Sequence, residues 1–299
     1  MVGRERELRS WRTGGGLALA GGLVCVGLAA AGCSGVGEGA SVEGAGGGDP
    51  VAVLHRAADR LVAAGSAKAR TAMQMASGGT RVTIRGEGVY DFEERLGQLK
   101  VRLPQDPAGS SEHRPITELL APGALFMKNR GAGVPDDKWV RVDTDSLSDG
   151  NLVTGGATDP FAAAEVLRGT RTATYVGRTE LAGTEVRHYR GTADLVRAAR
   201  GASEGNRKAL AAAAEGFATA EVPFDAYLDD EGRIRKVRHR FSFSNGREDG
   251  TGSGIVDVAS TTLLYDFGAA VRVRLPEDRD IYAGKIAAEP GERGVDGKN

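Results

Sequence analysis

Four histidines, His55, His113, His188 and His239, are the side chains best suited to proton transfer or metal binding near neutral pH. No two of them stand at a helical or hairpin metal spacing such as His-x-x-x-His. His55 lies beside an apolar helical stripe and His113 in the loop Ser110–His113. His188 and His239 fall in separate strands flanked by arginine. Each reads as an ordinary polar side chain. Gly252-Ser253-Gly254 mimics a nucleophile elbow, but the spacing is short and no strand-to-helix turn follows. Asp143, Asp145, Asp149 and Gly150 resemble a calcium loop, yet Leu147 occupies the third ligand position, Ser148 the glycine position and Thr154 that of the closing Glu. That stretch therefore reads as a solvated acidic turn. Gly131 and Gly133 lack the third glycine of a dinucleotide loop. No catalytic constellation, metal site or cofactor site is expected, and the chain reads as non-enzymatic.

The two cysteines, Cys25 and Cys33, cannot build a disulfide scaffold or a thiolate metal cage. A net charge of −1 and an aromatic content of 5% speak against a nucleic-acid partner. Cys33 has a distinctive setting. Arg4, Arg6, Arg9 and Arg12 form a positive segment, Gly14 to Ala31 is uncharged and partly apolar, and Ala29-Ala30-Ala31-Gly32 presents small residues just before the cysteine. Positive, then apolar, then small is the pattern of a secretory signal. A retained transmembrane helix is the competing reading, which the many glycines and the terminal cysteine disfavour. No Arg-Arg pair directs the chain to twin-arginine export.

The rest of the chain divides by composition. Residues 1–32 form the signal segment. Residues 33–48 are Gly- and Ala-rich, with Glu38 and Glu43 as the only charges, and read as a flexible tether. Residues 49–287 carry periodic apolar patterns and form the folded unit. Residues 288–299 are polar and read as a disordered tail. Within the folded unit, Asp49-Pro50 and Asp159-Pro160 are N-caps followed by a first-turn proline, starting helices over about 51–62 and 161–167. A third helical region spans about 193–215. About ten alternating runs read as strands, beginning at Thr71, Arg81, Gln98, Ala124, Lys138, Thr172, Glu185, Phe224, Arg235 and Ile255. Apolar-in, basic-out alternation indicates an antiparallel sheet with one solvated face. The fold class is α+β: a long curved antiparallel sheet with helices covering its concave face. Leu99–Asp106 nearly repeats in Val271–Asp278, and proline marks a strand end in each. Met73 and Met75 alternate onto one face, which Val82, Ile84, Leu99, Val101 and Leu103 continue. That face is either a plain packed core or the wall of a pliable apolar cavity.

Two resemblances extend this reading. Ala29–Ser34 resembles the lipobox of bacterial lipoproteins, with Ala30 in place of the usual Leu. It implies cleavage between Gly32 and Cys33 and diacylglyceration of Cys33, which would hold the chain on the extracytoplasmic face of the cell membrane. The segments Lys138-Trp139-Val140, Val186-Arg187-His188-Tyr189 and Tyr227-Leu228-Asp229-Asp230-Glu231-Gly232-Arg233, in that order, resemble the LppX/LprG-type lipoproteins of actinobacteria over roughly 49–275. That family implies a LolA-like fold, an unclosed barrel whose apolar cavity holds acyl chains of lipids, and no catalytic residues. A basic residue at the mouth, such as Lys128, Arg130 or Arg141, would meet an anionic headgroup. The alternative function on the same fold is a sensory or regulatory lipoprotein that binds an envelope protein partner.

Overall fold

The computed structural model describes residues 48–77, 80–104, 114–129, 133–244 and 255–283. Two short helices, α1 (Pro50–His55) and α2 (Ala57–Ala63), lead into β1 (Ser66–Ser77), β2 (Thr80–Asp91), β3 (Leu96–Arg102), β4 (Ile116–Ala121), β5 (Ala124–Lys128) and β6 (Trp139–Asp143). Helix α3 (Pro160–Val166) precedes β7 (Thr170–Leu181) and β8 (Thr184–Asp194). Helices α4 (Leu195–Gly201) and α5 (Glu204–Gly216) follow, and β9 (Glu221–Leu228), β10 (Ile234–Ser244) and β11 (Ile255–Tyr265) complete the described strands.

All eleven strands form one sheet in the order β6-β5-β4-β3-β2-β1-β11-β10-β9-β8-β7. Strands β1 to β6 meander outward from the centre. The chain then returns through α3 to the opposite edge, and β7 to β11 meander inward. The antiparallel ladder between β1 and β11, from Lys68↔Tyr265 to Ala76↔Asp257, joins the two halves. The edge strands β6 and β7 do not pair, so the sheet is open and the expected α+β class holds.

Inward positions alternate along each central strand. Ala67, Ala69, Thr71 and Met73 of β1 are buried, as are Val258, Ser260, Thr262 and Leu264 of β11, and Val237, His239 and Phe241 of β10. Lys68, Arg70 and Gln74 are exposed on the other face. The helices cover the inward face with small side chains: Ala57 and Ala58 of α2, Ala162 to Ala164 of α3, and Ala198 and Ala199 of α4 are all buried. Both Asp-Pro starts cap as expected. Asp49 accepts from the N–H groups of Val51 and Ala52, and Asp159 from those of Phe161 and Ala162.

Several expectations are corrected. The first helix is two helices, interrupted at Arg56. The region 193–215 is the end of β8 followed by two helices, with a break at Ala202–Ser203. Strand β4 has no counterpart in the sequence reading. Its Leu119-Leu120 pair and buried Glu118 break the alternation because this end of the sheet is covered on both faces. Leu119, Ala124 and Phe126 form a second apolar cluster with Trp139, Val273 and Ile281. Val271–Leu275, the near-repeat of β3, therefore lies across strands rather than in a ladder. The following residues dock on the β6 edge through a parallel bridge, Trp139↔Ile281, with the Tyr282 N–H donating to the Trp139 carbonyl at 2.8 Å. A side chain aimed to either face is then apolar, which removes the period of two.

Candidate functional site

The seven side chains expected to line one apolar face all belong to the inner core, but they differ in depth. Met73, Leu99 and Val101 are 0–1% exposed and Ile84 is 9% exposed. Met75, Val82 and Leu103 are half-buried and pack against the same cluster. Register explains the gradient. Met73 faces Ile84 deep in the β1–β2 ladder, whereas Met75 faces Val82 near its end.

The deep group is covered by the segment between β6 and α3. Gly156 adopts φ +84°, and a Cβ placed there would lie 3.4 Å from Ile84 Cγ2 and 3.6 Å from Val101 Cγ1. The left-handed backbone favours glycine there, while a Cβ would meet these side chains at ordinary van der Waals distance. A Cβ on Gly86 would come within 3.3 Å of Ala157 Cβ. The segment thus lies directly on the β2–β3 surface.

Two aspartates hold that segment at its ends. Asp149, 2% exposed, accepts from the N–H groups of Asn151 (3.0 Å), Val153 (2.9 Å) and Thr154 (2.6 Å). It is a buried loop organiser, and the expected solvated acidic turn is corrected at this residue. Asn151 Oδ1 accepts from the Gly155 N–H at 3.0 Å. The Thr158 hydroxyl donates to the Leu152 carbonyl and meets the Ser260 hydroxyl of β11. Asp159 caps α3 and accepts from the Tyr90 hydroxyl at 3.2 Å. Burial raises the Asp159 carboxyl to about 6, against the capping N–H groups and the Tyr90 hydroxyl that favour its charge. The spacing of Asp149 to the backbone it serves is an Asx-type signal the sequence does carry, but only burial distinguishes it from an exposed turn.

Towards one end of the inner face the cover is incomplete. Met75, Val82, Leu103, Val153, Phe243 and Val256 are each half-buried there against the core. Phe217 reinforces this end by stacking on Phe241 at 4.8 Å and meeting Phe243 edge-on at 4.6 Å. The sequence reading missed Phe243 and Val256, although their parity with Phe241 and Val258 places them on the same face. The arrangement is an apolar rim beside a core of small covering elements. Its chemistry is that of burying hydrocarbon, without polar specificity.

The histidines occupy unrelated settings. His55 Nε2 contacts the Thr170 carbonyl at 3.0 Å. His188 is on the outer face, stacked on Tyr227 at 4.3 Å and bonded through Nε2 to Asp225 Oδ1 at 2.9 Å. Asp225 also accepts from Arg190 Nε and Arg240 Nη2, both at 3.0 Å. Burial works to raise this carboxyl, but the His188 and Arg190 hydrogen bonds and the charges of Arg190 and Arg240 outweigh it and hold it below its usual value. His239 is buried on the inner face with Nε2 unpartnered, and burial alone pushes it down to about 3, keeping it neutral. His188 and His239 therefore stand on opposite faces of the sheet. Among the described residues no group of three or more His, Cys, Asp or Glu is placed to hold a metal ion.

Of the expected headgroup contacts, Lys128 sits over the Trp139 ring at 5.5 Å and Arg141 pairs with Asp143 at 2.7 Å, both near the β6 edge. Arg130 lies outside the described residues, as do Gly32, Cys33, Cys25, His113, Gly131, Gly252–Gly254 and the 288–299 tail. No helix among the described residues is long and apolar enough to cross a membrane.

No family model matches the sequence, and no curated protein matches it. Solved structures do. The chain is similar to the lipoprotein LppX of Mycobacterium tuberculosis, at 9% identity and a TM-score of 0.43, over 75% of this chain and 97% of that one. It is similar to LprF of Mycobacterium bovis, at 12% identity and a TM-score of 0.38, over 76% and 96%. It is also similar to a LolA superfamily protein of Nitrosomonas europaea, at 11% identity and a TM-score of 0.32, over 73% and 94%.

Proposed function

We propose that this chain is a non-enzymatic, lipid-binding lipoprotein of the cell envelope. In this reading Cys33, freed by cleavage after Gly32, carries the lipid anchor on the extracytoplasmic face of the cell membrane. Residues 33–48 tether the folded unit, and the inner face receives acyl chains. The observation that supports it most directly is the half-buried apolar rim of Met75, Val82, Leu103, Phe243 and Val256, continuous with a core roofed by alanines and glycines. Each methylene buried there contributes about 0.8 kcal/mol, so two long chains bind tightly without polar contacts. Met73, Ile84, Leu99 and Val101 form the deeper wall, reached when the 149–159 segment moves aside. A single acyl anchor holds a protein only marginally, whereas a diacylglyceryl group gives stable attachment.

The test uses the full chain, purified from bacterial membranes in a non-ionic detergent. Native mass spectrometry followed by organic extraction is expected to find a defined lipid at one per chain, in addition to the anchor on Cys33. A mass equal to the anchored protein alone, with no uptake of added phospholipid, overturns the lipid-binding reading and favours an envelope protein partner.

A further inference from the structure

Strand register places an uneven charge on the outer face of the sheet. One row across the ladders runs from Arg102 and Arg85 through Ala72 and Thr261 to Arg238, Asp225 and Arg190. The adjoining row runs from Lys100 and Glu87 through Arg70 and Leu263 to Lys236, Tyr227 and His188. These two rows hold seven Lys or Arg against two carboxylates. Neither carboxylate is free. Glu87 is held by Arg70 at 3.0 Å, and Asp225 by His188, Arg190 and Arg240. Arg85, Lys100, Arg102 and Arg238 form no ion pair among the described residues.

The excess is confined to the centre of the face. Towards one strand end Lys68 pairs with Asp266 at 2.9 Å, and towards the other Arg81 stands with Asp257 and Glu221. The whole chain carries a net charge of −1, so the central band is opposite in sign to the remainder. Arg85 and Arg102 stand directly opposite each other on β2 and β3. Like charges so placed destabilise a ladder, and a partner outside the chain would offset that cost. The helices cover the inner face only, and Arg70, Arg85, Lys100 and Arg102 are exposed.

The arrangement selects the kind of anion. Six strand spacings separate Arg102 from Arg190, about 29 Å along the sheet. Cations spread along two rows meet many anions at once rather than one small ligand. Half-buried Tyr227 and Tyr265 share this face, with Lys236 and Arg70 over their rings at 4.9 and 5.0 Å. Amphipathic rings of this kind are favoured at a membrane–water boundary. We infer that the outer face of β3, β2, β1, β11 and β10 docks on an anionic lipid surface. The inference rests on the reading of Cys33 as a lipid anchor, which keeps the folded unit beside a bilayer, and adds an orientation to it. A lipid chain and a polybasic patch together hold a protein more firmly than either alone.

The full chain, purified from bacterial membranes, is reconstituted on vesicles of phosphatidylcholine or of equal parts phosphatidylcholine and phosphatidylglycerol. A fluorophore on Thr261→Cys, in the middle of the cationic band, is compared with one on Glu215→Cys in α5. Acrylamide quenching reads the docked fraction. The Thr261 probe is expected to be protected on the phosphatidylglycerol vesicles alone, and the Glu215 probe on neither. Raising salt from about 0.1 M to about 1 M shortens the screening length from about 10 Å to about 3 Å and is expected to remove the protection. Each Lys or Arg near an anionic surface shifts the docked-to-free ratio about fivefold, so Arg85→Gln/Arg102→Gln is expected to lower it about 25-fold and Lys100→Gln about fivefold. None of these three holds a carboxylate, so folding is expected to survive, and circular dichroism checks it. Equal quenching at Thr261 on both vesicles overturns the docking and leaves the anchor intact. Protection that persists in both charge variants, or equal protection of the two probes, overturns the assignment to this face. A Thr261 response to soluble polyglutamate but not to the vesicles overturns the lipid surface in favour of an acidic protein. A chain that fails to float with phosphatidylcholine vesicles overturns the anchor reading itself.

Discussion

Asp149→Ala tests whether the inner face is closed by a removable cover. The carboxylate serves three backbone N–H groups, at Asn151, Val153 and Thr154, and sits 2% exposed. Removing it orphans three donors. An unsatisfied buried donor costs about 1–3 kcal/mol, and access of water to the half-buried Val153 and the exposed Thr154 reduces the sum. A net loss of about 3 kcal/mol is expected, concentrated in the 150–158 segment. If that loss is local, the open form of the segment rises about a hundredfold in population. Hydrogen exchange read peptide by peptide is the assay: amides of 150–158 are expected to speed up by that factor, with β9 to β11 unchanged. Opening uncovers Ile84 and Val101, so a fluorescent fatty acid is expected to bind the variant faster. Unchanged exchange in 150–158 refutes the role given to Asp149. Faster exchange everywhere means that the segment is part of the cooperative core and not a separable cover.

His239→Leu is expected to flatten acid sensitivity. A histidine held neutral at about 3 in the fold, against 6.5 when exposed, contributes stability that is complete above pH 6.5 and is lost as pH falls towards 3, on the order of 5 kcal/mol in all. Urea denaturation at pH 7, 5 and 4 is expected to show a smaller acid loss in the variant, and equal losses contradict the buried-neutral assignment. Met75→Glu is expected to lower fatty-acid probe uptake several-fold with little change in urea midpoint, because the side chain reaches water at the rim. Met73→Glu, by contrast, is expected to cost several kcal/mol of stability by burying a charge. Cys33→Ala is expected to abolish palmitate labelling and release the chain from the membrane fraction, and a variant that still labels contradicts the anchor.

Much of this fold could be read from residue order. The two Asp-Pro caps, the β10 and β11 strands and the inward parity of Met73, Ile84, Leu99 and Val101 follow from local rules, because capping and alternation depend on neighbours a few residues apart. Strand β4 could not be read that way. Its pattern reflects Val273 and Ile281, more than a hundred residues further on, packing against Leu119 and Phe126. The split between α4 and α5 was hidden for a related reason: helix propensity favours continuity, while the Ser203 N–H and hydroxyl turn to the buried Glu165 of α3.

The same division holds for the site. Residue types alone determined that the chain offers no paired histidines at a metal spacing, an apolar face built from alternating strand positions, and a cysteine in a lipobox-like setting. Tertiary structure alone decided that Met75 and Val82 reach the rim while Leu99 and Val101 lie beneath Gly156. It alone turned Asp149 from a surface acid into a buried anchor, and it set Arg85 and Arg102 in line with Arg238 and Arg190 across the outer face. Alternation fixes which face a side chain takes. Depth, cover and charge balance depend on segments that meet only when β11 closes on β1, across nearly two hundred residues of intervening chain.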